Sequence, residues 1–195
     1  MLAKLKWMVL GGGWKQSLHA AKMRWPGTLV LASGVRIGKH TVLDRYMGDN
    51  LHIGTSSTVC QHCKLATCGG DLYIGSNVTI GDNAVITAQG GVTVEDHVIF
   101  ADRVCLIANE HNYRDVSRPI KDQGGYSKPI LIGAGSWLGI NVTILQGTQI
   151  GKNCVVGAGS VVKGTFPDYC VIAGNPARVI KRYDSESGMW LKNEN

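Results

Sequence analysis

Residues 132–151 read IGAGSWLGINVTILQGTQIG, and within them an aliphatic side chain returns every six positions, at Ile132, Leu138, Ile144 and Ile150. The series runs on to Val156 and Val162. Glycine follows directly at Gly133, Gly139, Gly151 and Gly157. Four positions after each aliphatic stands a small or branched residue: Ser136, Val142, Thr148, Cys154, Ser160. A helix repeats its apolar face about every 3.6 residues and a strand every second residue, so this spacing belongs to neither. It marks a repeat architecture.

The same spacing extends towards the N-terminus as Leu31, Ile37, Leu43; Ile53, Val59, Leu65; Ile74, Ile80, Ile86; and Val94, Phe100, Leu106. Each interruption falls after the third aliphatic of a triplet. Three six-residue units therefore make one triangular coil, and every insertion leaves from the same corner. The aliphatic points into the prism, glycine admits the sharp corner, and each coil pairs with its neighbours about 4.8 Å away. The expected fold is all-β, a parallel β-helix of about six coils over residues 31–166. Short helical or irregular caps are expected at 1–30, where Gln16–Arg24 is helix-compatible, and at 167–195. Within the second cap Arg178–Tyr183 begins some structure, and Asp184–Asn195 reads as a polar, frayed tail apart from Met189, Trp190 and Leu191. The whole reads as a single domain.

The chain has 195 residues, 17% of them charged and 44% hydrophobic, which suits an ordinary soluble domain. Its 26 glycines are nearly twice the ~7% average share. With only 5 prolines it is neither collagen-like nor a Pro/Gly-rich disordered chain. The formal charge of +6 points to an anionic ligand, an acidic polymer or a membrane surface, without choosing among them. No apolar run approaches the ~20 residues of a spanning helix. Lys4 and Lys6 break Met1–Leu10, so no secretory signal is expected. The six cysteines then read as reduced thiols in the cytoplasm.

Between Leu106 and Ile132 the six-residue register is suspended for longest. The segment 108–129, ANEHNYRDVSRPIKDQGGYSKP, is polar, and loops of this length in compact domains tend to be functional. His111 stands where the chain leaves the coil. Its backbone is expected to be anchored there with the ring facing outward, and imidazole can take a proton near neutral pH. A second cluster, Cys60-Gln61-His62-Cys63, has a zinc-like spacing. The repeat places Cys63 at the small inward position, so a stacked thiol accounts for it without metal, and no metal is expected.

On these residues the chain resembles the hexapeptide-repeat acyltransferases, and more narrowly the maltose/galactoside O-acetyltransferases and their relatives in exopolysaccharide, capsule and lipopolysaccharide modification. The resemblance is strongest over Lys128–Arg178, with Lys128-Pro129, Gly135-Ser136-Trp137-Leu138-Gly139, Gly157-Ala158-Gly159-Ser160-Val161-Val162 and Gly174-Asn175-Pro176-Ala177-Arg178. It implies a left-handed helix and a homotrimer with active sites between subunits. It also implies acetyl-CoA as donor and His111 as general base. Carried over residue by residue, Trp137, Gly139 and Ala158 stand near the pantetheine, and Lys163, Arg178 and Lys181 near the nucleotide. Asn83, near a family asparagine, takes no such role.

The resulting expectation is O-acetylation of a sugar hydroxyl in surface polysaccharide or lipopolysaccharide biosynthesis, with a small or lipid-linked saccharide as acceptor and no nucleic acid. N-acetylation of an amino sugar, or acetylation of a xenobiotic or serine, is the alternative on the same scaffold. A gamma-type carbonic anhydrase would need several converging histidines that the spacing lacks. A non-catalytic binding module would leave the long loop without a purpose. The basic N-terminus with Trp7, Trp14 and Trp25 either packs as a cap or touches the inner face of a membrane.

Overall fold

The computed structural model describes residues 27–46 and 48–193. The helix-compatible segment Gln16–Arg24 and the basic, Trp-bearing N-terminus lie outside the described residues.

Short parallel strands wind into a three-sided column. The first face stacks Leu29–Leu31, Leu51–Ile53, Leu72–Ile74, Val92–Val94, Ile130–Ile132, Gln149–Ile150 and Thr165–Phe166. The second face begins with Arg36–Ile37 and Thr58–Val59 and reaches Cys170–Gly174. The third runs from Val42–Asp44 to Val161–Val162. The expected parallel β-helix of six coils is therefore present, with a partial seventh.

The six-residue period is the core. Ile53, Leu65, Ile74, Ile80, Ile86, Val94, Leu106, Ile132, Leu138, Ile144 and Val162 are all fully buried. Burying one such side chain stabilises by about 1.5–3 kcal/mol, and no coil could gain it without neighbours above and below. The positions four residues later carry the polar part of the interior. Ser136 Oγ donates to Gly151 O at 3.0 Å and accepts the Cys154 N–H at 3.0 Å, stitching adjacent corners. Cys63 fills the equivalent inward place, and its Sγ donates to Gly81 O at 3.1 Å. Burial pushes its thiol up to about 11, which keeps it protonated. Among the described residues no group of three or more His, Cys, Asp or Glu side chains gathers as a metal-ligand set.

Corners need close approach. A Cβ on Gly133 would lie 2.5 Å from the backbone carbonyl of Gly151 one coil on, so only glycine fits.

The C-terminal end departs from expectation. The step from Val162 to the next core residue, Phe166, is four rather than six, which hides the continuation, and Ile172 then lines up with Val156. After the cis Asn175–Pro176 bond, Ala177–Asp184 turns back antiparallel to Cys170–Gly174, and Met189–Lys192 pairs with it in turn. The cap is thus a strand ladder, and the tail expected to fray is paired through Lys192. Tyr183 packs edge-on against Trp190, with centroids 5.5 Å apart, so aromatic contact supports what polar composition disguised. Among the described residues no helix is long and apolar enough to cross a membrane.

Candidate functional site

The long loop leaves the fourth coil at the corner joining the third face to the first. Ala108, fully buried, is its last core residue, and Ile130 resumes the first face through an N–H bond to Gly91 O at 3.0 Å. Register across the gap is undisturbed. Cys105–Ile107 pairs with Thr143–Leu145, and Val92–Val94 with Ile130–Ile132. The loop can therefore be long without cost to the column.

Its base is an antiparallel ribbon, Asn109–His111 against Gly125–Ser127, with His111 opposite Gly125. The pairing fixes the backbone of His111, and the side chain is exposed. Further out, a short 3-10 turn at Ile120–Gln123 closes the tip. Gln123 organises it: Nε2 donates to Asp115 O at 2.7 Å and Arg118 O at 2.9 Å, and Oε1 accepts the Asp115 N–H at 3.1 Å.

Glu110, beside His111, is the polar centre of the base. Its Oε2 accepts from Tyr126 OH at 3.0 Å, Gln146 Nε2 at 3.1 Å and Lys163 Nζ at 3.1 Å. These bonds, the Gln146 amide first and the Lys163 ammonium next, hold the Glu110 carboxyl below its ordinary range. The same contact pushes the Tyr126 phenol up, because the carboxylate favours the protonated donor. Sequence reading passed over Glu110, Gln146 and Gln123. The sole signal available was Glu110's place next to His111.

The other expected site residues fall into two groups. Trp137, half-exposed, lies on the outer surface of the second face in register with Val155, Val171 and Lys181. Gly139 and Ala158 stack at the corner between the second and third faces. A Cβ on Gly139 would come within 2.8 Å of Ala158 N, so this glycine is required by its own neighbouring coil whatever it binds. Arg178 pairs with Ala173 on the same extended sheet, its Nη1 donating to Ala177 O at 2.8 Å. Lys163 stands apart from these: its ammonium is engaged by Glu110 at the base of the loop. Within one chain His111 and Lys163 thus share one corner, while Trp137, Gly139, Ala158, Arg178 and Lys181 occupy the second face and the corner beyond it.

Comparison with known proteins agrees with the repeat. Residues 129–164 match the family model described as bacterial transferase hexapeptide (six repeats), and residues 72–100 match that described as hexapeptide repeat of succinyl-transferase. The chain is 36% identical over 151 residues to Escherichia coli WbbJ, by name a lipopolysaccharide biosynthesis O-acetyl transferase. That match covers 73% of this chain and 77% of WbbJ. It is 39% identical over 113 residues to the galactoside O-acetyltransferase of Escherichia coli, covering 58% of this chain and 55% of that one. It spans only 50% of the length of a Mycobacterium tuberculosis relative. Among solved structures, a mutant of AntD, an N-acyltransferase from Bacillus cereus in complex with dTDP and coenzyme A, superposes with a TM-score of 0.63. The likeness, at 20% identity, covers 78% of this chain and 86% of that one and is one of fold.

Proposed function

The chain belongs to the hexapeptide-repeat acetyltransferases, and from that premise we propose that it transfers an acetyl group from acetyl-CoA to a sugar hydroxyl of a surface polysaccharide or lipopolysaccharide precursor, with His111 as general base. The observation that carries the reading is the placement of His111. It is an exposed imidazole on a backbone pinned to Gly125, at the point where a polar loop leaves a rigid column. Relatives named for galactoside and lipopolysaccharide O-acetylation support the sugar hydroxyl as acceptor.

The chemistry asks little more of the protein. A thioester is already activated, so the imidazole need only take the hydroxyl proton as the oxygen attacks the carbonyl carbon. Collapse of the tetrahedral adduct breaks the C–S bond, and the departing CoA sulfur recovers the proton from His111. Proton transfer of this kind contributes about 10²–10⁴-fold. Trp137, Gly139 and Ala158 would flank the pantetheine, and Arg178 and Lys181 would meet the phosphates, where their fixed charge suits direct hydrogen bonding. Lys163 would serve that end only through the loop it braces. The working assembly in this reading is a trimer in the cytoplasm, or at the inner face of its membrane. The separation of His111 from the Gly139–Ala158 corner favours a site completed by a neighbouring copy.

The test is thiol release from acetyl-CoA across a panel of saccharides and amino sugars, with wild type and His111→Ala side by side. The variant should keep its fold and oligomeric state while losing about 10²–10⁴-fold in turnover. Undiminished turnover would refute the base. A second reading, N-acetylation of an amino sugar, draws on the N-acyltransferase of similar fold, and preference for amines over hydroxyls in the same panel would establish it.

A further inference from the structure

We propose that Glu110 is the positioning residue of the loop, tying the strand that bears His111 to the fifth and sixth coils. The proposal rests on the reading of His111 as base. Glu110 and His111 are successive residues of one strand, so their side chains leave on opposite sides. His111 faces outward, and Glu110 reaches back to the column. One carboxylate oxygen collects a donor from each part that must stay in register: Tyr126 from the opposing strand of the ribbon, Gln146 from the fifth coil and Lys163 from the sixth. A charged acceptor makes such bonds roughly twice as strong as neutral ones.

The column itself gives the independent argument. Gln146 follows Leu145, which pairs with Ile107, so it stacks beside Ala108, the residue from which the loop departs. The corresponding places in the second, third and fourth coils are Thr67, Ala88 and Ala108, all small and fully buried. At this one corner the fold instead holds a buried amide, with its Oε1 left without a partner. An apolar or small residue would fill the place without an orphaned acceptor. What the amide provides is a donor aimed at Glu110. Without Glu110 the ribbon loses its side-chain hydrogen bonds to the column, so its own pairing opens more readily and His111 is no longer held in place.

Hydrogen exchange of the full chain, without substrate, reads the tether directly. In Glu110→Ala, exchange of the Asn112 amide, bonded in wild type to Gly124 O, and of the loop's entry strand should quicken about tenfold. Amides of 130–145 should be unchanged. With the best acceptor of the saccharide panel, kcat should fall by about 10²-fold, the effect of displacing a catalytic group by ~1 Å. KM for acetyl-CoA should move less than about twofold. Glu110→Gln should lie between, since its amide oxygen still accepts from Gln146 and Tyr126 but offers Lys163 no charge. Unchanged loop exchange in Glu110→Ala would overturn the proposal. So would quickened exchange with kcat intact while His111→Ala is inactive. If His111→Ala stays active, the base assignment fails instead, and loop exchange alone decides whether Glu110 holds the ribbon.

Discussion

The column and the loop are built by opposite means. In the coils, aliphatic residues six apart are sealed from water, and backbone groups pair with the coil on either side. Between Asn109 and Pro129 no side chain is buried, and the segment keeps its shape through a two-stranded ribbon, the Gln123 bonds and the Glu110 centre. A structure held by apolar area is tolerant of pH and salt and sensitive to volume. One held by a few polar bonds is the reverse. The molecule therefore has a rigid part indifferent to protonation and a responsive part that carries the proposed base.

The largest test of that contrast removes volume. Ile144→Ala, in the fully buried centre of the fifth coil, should cost about 2–5 kcal/mol of stability, measured by denaturant unfolding. A loss below ~1 kcal/mol would mean that the six-residue core does not carry the fold. Next comes the polar stitch inside the column. Ser136→Ala strands the buried Cys154 N–H and Gly151 O that the hydroxyl now joins, and should cost about 1–3 kcal/mol.

Acid should separate the two regions without any substitution. The Glu110 carboxyl titrates below its ordinary range, so the folded loop binds its proton less readily than the unfolded chain does. The tether is then fully present above the ordinary Glu value of about 4.3 and is lost as pH falls through the lowered folded value. Protection of the loop amides, taken against the intrinsic exchange rate at each pH, should fall over that interval while that of the coil amides holds. If both regions loosen together, the division between them is wrong.

The same contrast governs what the sequence discloses. The six-residue series from Ile37 to Val162 is legible, because burial imposes a period that local reading can count, whereas Leu51, Leu72, Val92 and Ile130, each the second buried residue of its first-face strand, stand outside that count. Phe166 and Ile172 escape because a four-residue step interrupts that count, although both enter the core. The paired tail escapes because its partners are aromatic contacts across strands, such as Tyr183 with Trp190, hidden among polar residues. In the loop, His111 is noticeable only from where the register stops and from family resemblance. Glu110 finds Gln146 and Lys163 at separations of 36 and 53 residues, and nothing in the local pattern joins the three. Polar constellations are set by the winding of the column, so they become visible only after it is wound.

The smallest expected effect lies at the tip of the loop. Asp115 Oδ1 accepts from the Ser117 N–H at 3.0 Å and from its hydroxyl at 2.6 Å, and these bonds hold the carboxyl below its ordinary range. The side chain is exposed, so water replaces either bond readily. The Gln123 contacts use the backbone N–H and C=O of Asp115 rather than its carboxylate, and they survive Asp115→Ala. That variant should quicken exchange at the Ser117 amide and leave both turnover and stability unaltered. Gln123→Ala, which removes those two bonds together with the one to Arg118 O, should loosen the segment from Asp115 to Arg118 far more. If instead the two variants loosen the tip equally, its shape comes from the local Asp115–Ser117 turn, and the loop is braced at its base alone.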